Sequence, residues 1–258
     1  MIRVEGLTKD FRTYKGAGFL LGNISFNIPE RKLVAILGTN GSGKSTLLKI
    51  LSGAMNSDSG RVIYEQNGVN SLLSSSIHES LRTLYLDQDA GRDLVHSMTI
   101  AENLFLAEVK GSPGSLRFPN RRGFRDTAEN ALARITMGLE KRMQEQVRFL
   151  SGGEKQGLIL SRALLFQSKF LLLDEFVSAL SRDLAAKMLE LVRDIVKGSD
   201  VLCLLVTHEI DFAFRFADRL LFLHNGKLLA NVENDSSSQR KVISLYAECL
   251  KEYIADEP

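Results

Sequence analysis

Apolar residues in this chain fall into short runs that alternate with stretches of helical spacing. Val34–Leu37 is too short for a helix and is bounded by Gly38, so it predicts a buried strand. From Ser45 the apolar positions Leu47, Leu48, Ile50 and Leu51 recur at helical spacing and stop near Gly53. Arg61–Tyr64 and Leu81–Leu86 read as further strands, which makes the first third β-rich with one helix. The middle changes character. Thr99 and Glu102 fit a capping box that opens a helix through about Val109. Residues 111–123 are loop by composition, and Phe124–Met137 resumes helical spacing. Phe170–Leu173 and Val201–Val206 then predict buried parallel strands, joined by a helix through 182–196. Leu220–Leu223 and Lys227–Ala230 flank Asn225-Gly226, which suits a type I′ hairpin turn. A last helix is expected over about Gln239–Tyr253. The pattern implies an α/β fold: a mostly parallel sheet covered on both faces, with an all-helical insert between two β-containing blocks.

Composition narrows the class. The 258 residues are 44% hydrophobic and 25% charged, which excludes disordered and collagen-like chains. Lys and Arg number 33 against 31 Asp and Glu, so a net charge of +2 supplies no field for nucleic acid. Cys203 and Cys249 make no disulfide framework and suit a reducing compartment. The longest apolar run, Val201–Val206, falls far short of the ~20 residues of a spanning helix. The N-terminus carries acids and no apolar core, so it does not read as a signal peptide. A soluble intracellular protein is expected.

Three motifs carry chemistry. Gly38-Thr39-Asn40-Gly41-Ser42-Gly43-Lys44-Ser45 matches GxxxxGK[ST] in full, after a predicted strand and at the start of a predicted helix. Its glycines let backbone N–H groups wrap phosphates, and the helix N-terminus adds partial positive charge. Lys44 is placed to reach the β- and γ-phosphates and the Ser45 hydroxyl to ligate Mg²⁺, with Thr46 completing the ATP-binding segment. Phe170-Leu-Leu-Leu-Asp174-Glu175 is an apolar strand ending in two carboxylates. Asp174 can hold Mg²⁺ through its water shell and Glu175 can polarise an attacking water. By itself such a strand end is equally a solvated acidic turn. In Leu150-Ser151-Gly152-Gly153-Glu154, Ser151 and Glu154 fit a second capping box, starting a helix through about Leu165. Gly152 and Gly153 leave N–H groups uncovered, so the helix end can approach an anion, although an ordinary capped helix has the same look. One protein has no obvious use for two phosphate-gripping helix ends. A second copy does.

With these motifs in this order, roughly residues 2–232 resemble the ATPase subunits of ATP-binding-cassette (ABC) transporters. The resemblance implies a head-to-tail dimer, in which the Ser151–Glu154 helix of one subunit grips the γ-phosphate of ATP held by the other. Gln88 is similar to the glutamine that touches Mg²⁺ and the water, His208 to the switch histidine on the γ-phosphate, and Phe11 to the aromatic stacked on adenine, with Tyr14 the second candidate. His78, His96 and His224 match nothing in the family and are expected to be solvated. The chain departs from the family pattern after Glu175, which Phe176-Val177 follow instead of Pro-Thr; Ser181 replaces an Asp that couples the two sites, Glu30 a Gly, and Gly157 a basic residue. A Gly inside a helix costs ~1 kcal/mol relative to Ala, so a close contact is expected at Gly157. Arg117, Arg121, Arg122 and Arg125 form a basic loop, read as solvated or as a site for anionic lipid headgroups.

The implied organisation is one ABC ATPase domain: a core over about 1–88 and 158–232, a helical insert over about 89–157, and a helical tail over about 233–258. The implied partners are a second ATPase subunit, a separate transmembrane permease subunit and an extracytoplasmic solute-binding protein, with no nucleic acid. The implied place is the cytoplasmic face of the inner membrane, in bacterial uptake of amino acids or similar small solutes. The second reading is a soluble ABC ATPase of iron–sulfur cluster assembly.

Overall fold

The computed structural model describes residues 1–11, 20–73, 75–87, 91–92, 94–110 and 121–255. In chain order the elements are β1 (Ile2–Asp10), β2 (Leu20–Ile28), β3 (Leu33–Gly38), α1 (Lys44–Leu51), β4 (Ser59–Gln66), β5 (Val69–Leu72), α2 (Ser75–Leu81) and β6 (Leu84–Leu86). Then come α3 (Ile100–Lys110), α4 (Arg121–Ile135), α5 (Gly152–Leu165), β7 (Phe170–Asp174), α6 (Arg182–Gly198), β8 (Leu202–Val206), α7 (Ile210–Phe216), β9 (Arg219–His224), β10 (Lys227–Glu233) and α8 (Ser236–Ala255).

They build two sheets. One is antiparallel in the order β2-β1-β4-β5, and the other runs β10-β9-β3-β8-β7-β6. In the second, β3 lies between β8 and β9 and is parallel to both, and β7 and β6 continue the parallel run. Only β10 is antiparallel. Side chains alternate between the faces of a strand, so an apolar run without interruption implies cover on both sides. Leu33, Ala35 and Leu37 of β3 join Leu171, Leu173, Cys203 and Leu205 in a core with α5 and α6. Val34 and Ile36 face the other way, onto Leu47 and Leu51 of α1 and onto Ile2, Leu21 and Ile28 of the first sheet. Helix α6 presents Ala185, Met188, Leu189, Val192, Ile195 and Val196 to the core, a stripe at three- and four-residue spacing. Both cysteines are buried.

The expected strand Leu81–Leu86 forms only in part, and α2 adds a second helix to the first third. Leu81 ends α2, Arg82 turns at φ 48°, and the Thr83 amide bonds back to the His78 carbonyl at 3.0 Å. Only Leu84–Leu86 then pairs with β7. Strands β1 and β2 are additions to the elements expected above, although Asn23–Ile28 alternates polar and apolar residues and buries the apolar set. Their pairing shifts register on both sides of Leu7, near Gly6 at φ 58°.

Helices α3, α4 and the start of α5 lie between β6 and β7. The Thr99–Glu102 capping box is formed on α3. The close contact expected at Gly157 is present: a Cβ there would sit 2.6 Å from Met137 Sδ and 2.9 Å from Ile135 Cγ2. Arg125 of the expected basic loop pairs with Glu129 along α4, and residues 111–120 lie outside the described part. No helix among the described residues is long and apolar enough to cross a membrane.

The β9–β10 hairpin turns through Asn225 at φ 44° and Gly226 at φ 72°, as its residue types predict. This turn is also a wedge. The Gly226 amide donates to the Ser42 carbonyl at 3.1 Å, and its carbonyl accepts from Gly22 at 2.9 Å. A Cβ at 226 would lie 1.7 Å from the Leu20 carbonyl oxygen. Gly226→Ala is therefore expected to destabilise the fold by about 1–3 kcal/mol in urea denaturation, a strained positive φ and a backbone clash acting together. A loss within error of zero would contradict the wedge.

Candidate functional site

The loop between β3 and α1 is shaped by its glycines. At Gly38, with φ 153°, a Cβ would lie 1.9 Å from the Leu223 carbonyl oxygen. Gly43 takes a left-handed φ of 101° as the N-cap of α1 and supplies no side chain to the helix's first amides. Those amides point into the loop, where a phosphate fits. Lys44 is buried, and its Nζ donates to the carbonyls of Gly38 at 3.0 Å and Thr39 at 2.9 Å. Burial lowers its pKa, while the charges of Glu175 and Asp174 partly restore it.

Strand β7 delivers the two acids. The Ser45 hydroxyl donates to Asp174 Oδ1 at 3.2 Å, and the Tyr85 hydroxyl to Oδ2 at 3.0 Å. Burial pushes the Asp174 carboxyl up, and the charges of Asp87 and Glu175 add to that. Glu175 leaves the strand at φ 48°, with its amide bonded to the Val206 carbonyl at 3.0 Å. His208, exposed at the end of β8, brings Nδ1 to 3.6 Å from Glu175 Oε2. Phe11, Asn40, Gly41, Ser42, Gly43, Lys44, Ser45, Thr46 and Glu175 line one cavity of about 400 Å³. Phe11 forms its outer wall, 42% exposed, with Lys9 Nζ 5.7 Å from the ring centroid.

Gln88 and Tyr14 lie outside the described residues. The helix end at 151–154 does not line this cavity. Its capping box is complete, with the Ser151 amide donating to Glu154 Oε2 at 2.8 Å and the Glu154 amide to Ser151 Oγ at 3.3 Å. A Cβ at Gly153 would meet Leu184 at 2.7 Å and Leu180 at 3.1 Å, so this glycine lets α5 start against α6. Ser181 is the N-cap of α6, but its hydroxyl makes no cap bond, and Asp183 sits in the first turn.

Solvation of the three remaining histidines holds for His96 alone. His224 is buried, its Nδ1 sharing a hydrogen bond with Thr39 Oγ1 at 3.0 Å, because the hairpin packs beneath the phosphate loop. His78 is half-buried, bonded to Thr83 at 2.9 Å and stacked on Phe170 at 6.5 Å. Sequence reasoning also passed over Tyr85 and Arg142. The Arg142 guanidinium bridges Glu154 and Glu145, with two bonds of 2.7 Å to Glu145 and one to Glu154. Register could have flagged Tyr85, which lies beside Leu172 in the adjacent strand. Nothing in the sequence flags Arg142.

Residues 21–178 match the ABC transporter family. The chain is 33% identical over 235 residues to the tyrosine transport ATP-binding protein of Clostridioides difficile, covering 91% of this chain and 92% of that one. It is 29% identical over 231 residues to the phosphonates import ATP-binding protein PhnC of Treponema denticola, covering 87% and 88%. The dimeric structure of MJ0796, a bacterial ABC transporter cassette, superposes with a TM-score of 0.75 at 25% identity, covering 92% of this chain and all of that one. This chain belongs to the ABC transporter family and is one of its ATP-binding, ATP-hydrolysing subunits.

The raised Asp174 carboxyl has a measurable sign. Its stabilising contribution is full below its ordinary value of 3.8 and is lost as pH rises through the raised one. In EDTA, Asp174→Asn is expected to melt higher than wild type at pH 7, with the gap closing toward pH 4. Thermal scans across that range check it, and an equal or lower Tm at pH 7 counts against a strained carboxylate.

Proposed function

We propose that this chain is the energy-coupling ATPase of a transporter that imports a small solute. Tyrosine transport and phosphonate import are the activities named for its relatives, and an amino acid or similar anion-bearing solute is the class we assign. That direction sets aside the reading as a soluble ATPase of iron–sulfur cluster assembly. The cavity carries the ATPase part of the proposal, because it gathers an aromatic wall, a phosphate cradle and a carboxylate from three separate parts of the chain.

In this reading the cradle amides and Lys44 take the phosphates of ATP, Lys44 exchanging loop carbonyls for phosphate oxygens. Ser45 and Asp174 offer hard oxygen donors 3.2 Å apart, the donor type that Mg²⁺ selects, and Gln88 is the third ligand we assign. Mg²⁺ bound there would neutralise charge on the β- and γ-phosphates. Glu175 orients and polarises the attacking water, and His208, beside it, faces the γ-phosphate. Ser151, Gly152, Gly153 and Glu154 act on a second copy, closing over its ATP from the far side in a head-to-tail dimer. We assign the core to about 1–88 and 158–232, the helical insert to about 89–157 and the tail to about 233–258. The chain docks from the cytoplasmic face on a separate membrane-spanning subunit, served by an extracytoplasmic solute-binding protein. Affinity capture from detergent-solubilised membranes is expected to recover that subunit, and recovery of soluble partners alone would overturn the transport reading.

Glu175→Gln is expected to keep ATP binding and lose turnover by about 10²-fold or more, the usual worth of a positioned general base. ATP-bound dimer should then accumulate in light scattering. Unchanged turnover would falsify the role of Glu175. Phe11→Ala is expected to weaken ATP binding by about 1–3 kcal/mol while the maximal rate holds, since stacking contributes that much per base. Equilibrium binding of a fluorescent ATP analogue separates the two, and unaltered affinity removes Phe11 from the site.

A further inference from the structure

Strand register brings a tyrosine to the carboxylate that the ATPase reading gives to the cation. Strand β6 pairs with β7 in parallel, Tyr85 beside Leu172. Partners in a parallel pair share a face of the sheet, and Asp174 lies two residues beyond Leu172 on that face. The Tyr85 ring packs into the core beneath α1, the helix that carries Ser45. Its hydroxyl reaches Asp174 Oδ2 at 3.0 Å, while Ser45 Oγ reaches Oδ1 at 3.2 Å.

A carboxylate turns easily about its last torsion, whose profile is broad and two-fold. Two donors on opposite oxygens remove that freedom. Oδ1 is left beside Ser45, the second assigned cation ligand, and Oδ2 is engaged from the protein side. A phenol suits the task because it donates without adding charge, whereas a lysine or arginine would repel the cation. A phenol keeps its proton at neutral pH, so Tyr85 remains a donor.

We propose that Tyr85 is a positioning residue of the ATPase site, holding the Asp174 carboxylate plane so that Oδ1 and Ser45 Oγ face the cation together. The proposal rests on the assignment of Asp174 as a cation ligand. Tyr85→Phe removes one oxygen and keeps the ring. Binding of a fluorescent ATP analogue to the full chain, titrated with Mg²⁺ and repeated in EDTA, reads the effect without turnover. The Mg²⁺ concentration at half-saturation is expected to rise about three- to tenfold, since the bond lost is one to a charged acceptor. Affinity in EDTA should be unchanged. Equal weakening in EDTA and in Mg²⁺ would make Tyr85 a support of the loop alone and overturn the proposal. Asp174→Asn, in the same titration, separates the two levels of the argument. If it raises the Mg²⁺ requirement and Tyr85→Phe does not, the proposal fails and the cation assignment stands. If neither variant moves the requirement, the cation assignment fails and takes the proposal with it.

Discussion

A buried ammonium and a buried carboxylate sit at one edge of the parallel sheet, and the site is arranged around holding both. Lys44 donates hydrogen bonds to loop carbonyls, and Asp174 accepts them from Ser45 and Tyr85. Burying an ionised group is costly unless its hydrogen bonds are met, so each partner here offsets a desolvation that the fold imposes. Both residues remain strained in electrostatic terms, with Lys44 lowered and Asp174 raised by burial. In the proposed function, phosphates beside Lys44 and a divalent cation beside Asp174 would relieve both at once.

That arrangement needs a stiff frame. The ends of β3, β7 and β8 lie side by side in parallel register, which places the phosphate loop, the two acids and His208 along one edge. The β9–β10 hairpin closes the frame from below. Leu223 lies against Gly38, His224 bonds to Thr39, and Gly226 bonds to Ser42. Three points of the loop are thus tied to one hairpin more than 180 residues away in sequence.

The second helix end is built on different terms. Glu154 places a carboxylate at the start of a helix assigned to an anion, where bare negative charge would oppose the ligand. It is engaged on both oxygens, by the Ser151 amide and by Arg142, so its charge is met locally. Gly153 and Gly157 let that helix approach α6 on one side and the end of α4 on the other. The helix end is therefore held by packing. Ser181, at the head of α6, lacks both the carboxylate of the family and a cap bond, which leaves this corner with the weaker polar contacts.

Periodicity and motif spacing alone determined β3, α1, α3, β7, α6 and β8, the phosphate loop, the acidic strand end, both capping boxes and the turn at Asn225-Gly226. Each of these is local: it depends on residue types a few positions apart, whose backbone consequences are nearly independent of the rest of the chain. The same reasoning stretched β6 back to Leu81, because apolar residues flank Arg82-Thr83 on both sides and only hydrogen bonding reveals the turn there. It left His224 and His78 in solvent, because burial belongs to the neighbours a residue acquires. Tyr85 on Asp174, Arg142 on Glu154, Phe11 and Glu175 in one cavity and the hairpin under the loop were decided by tertiary structure. These pairs are distant in sequence or set by strand register, and only the packing of the two sheets around α1 brings such groups within bonding distance.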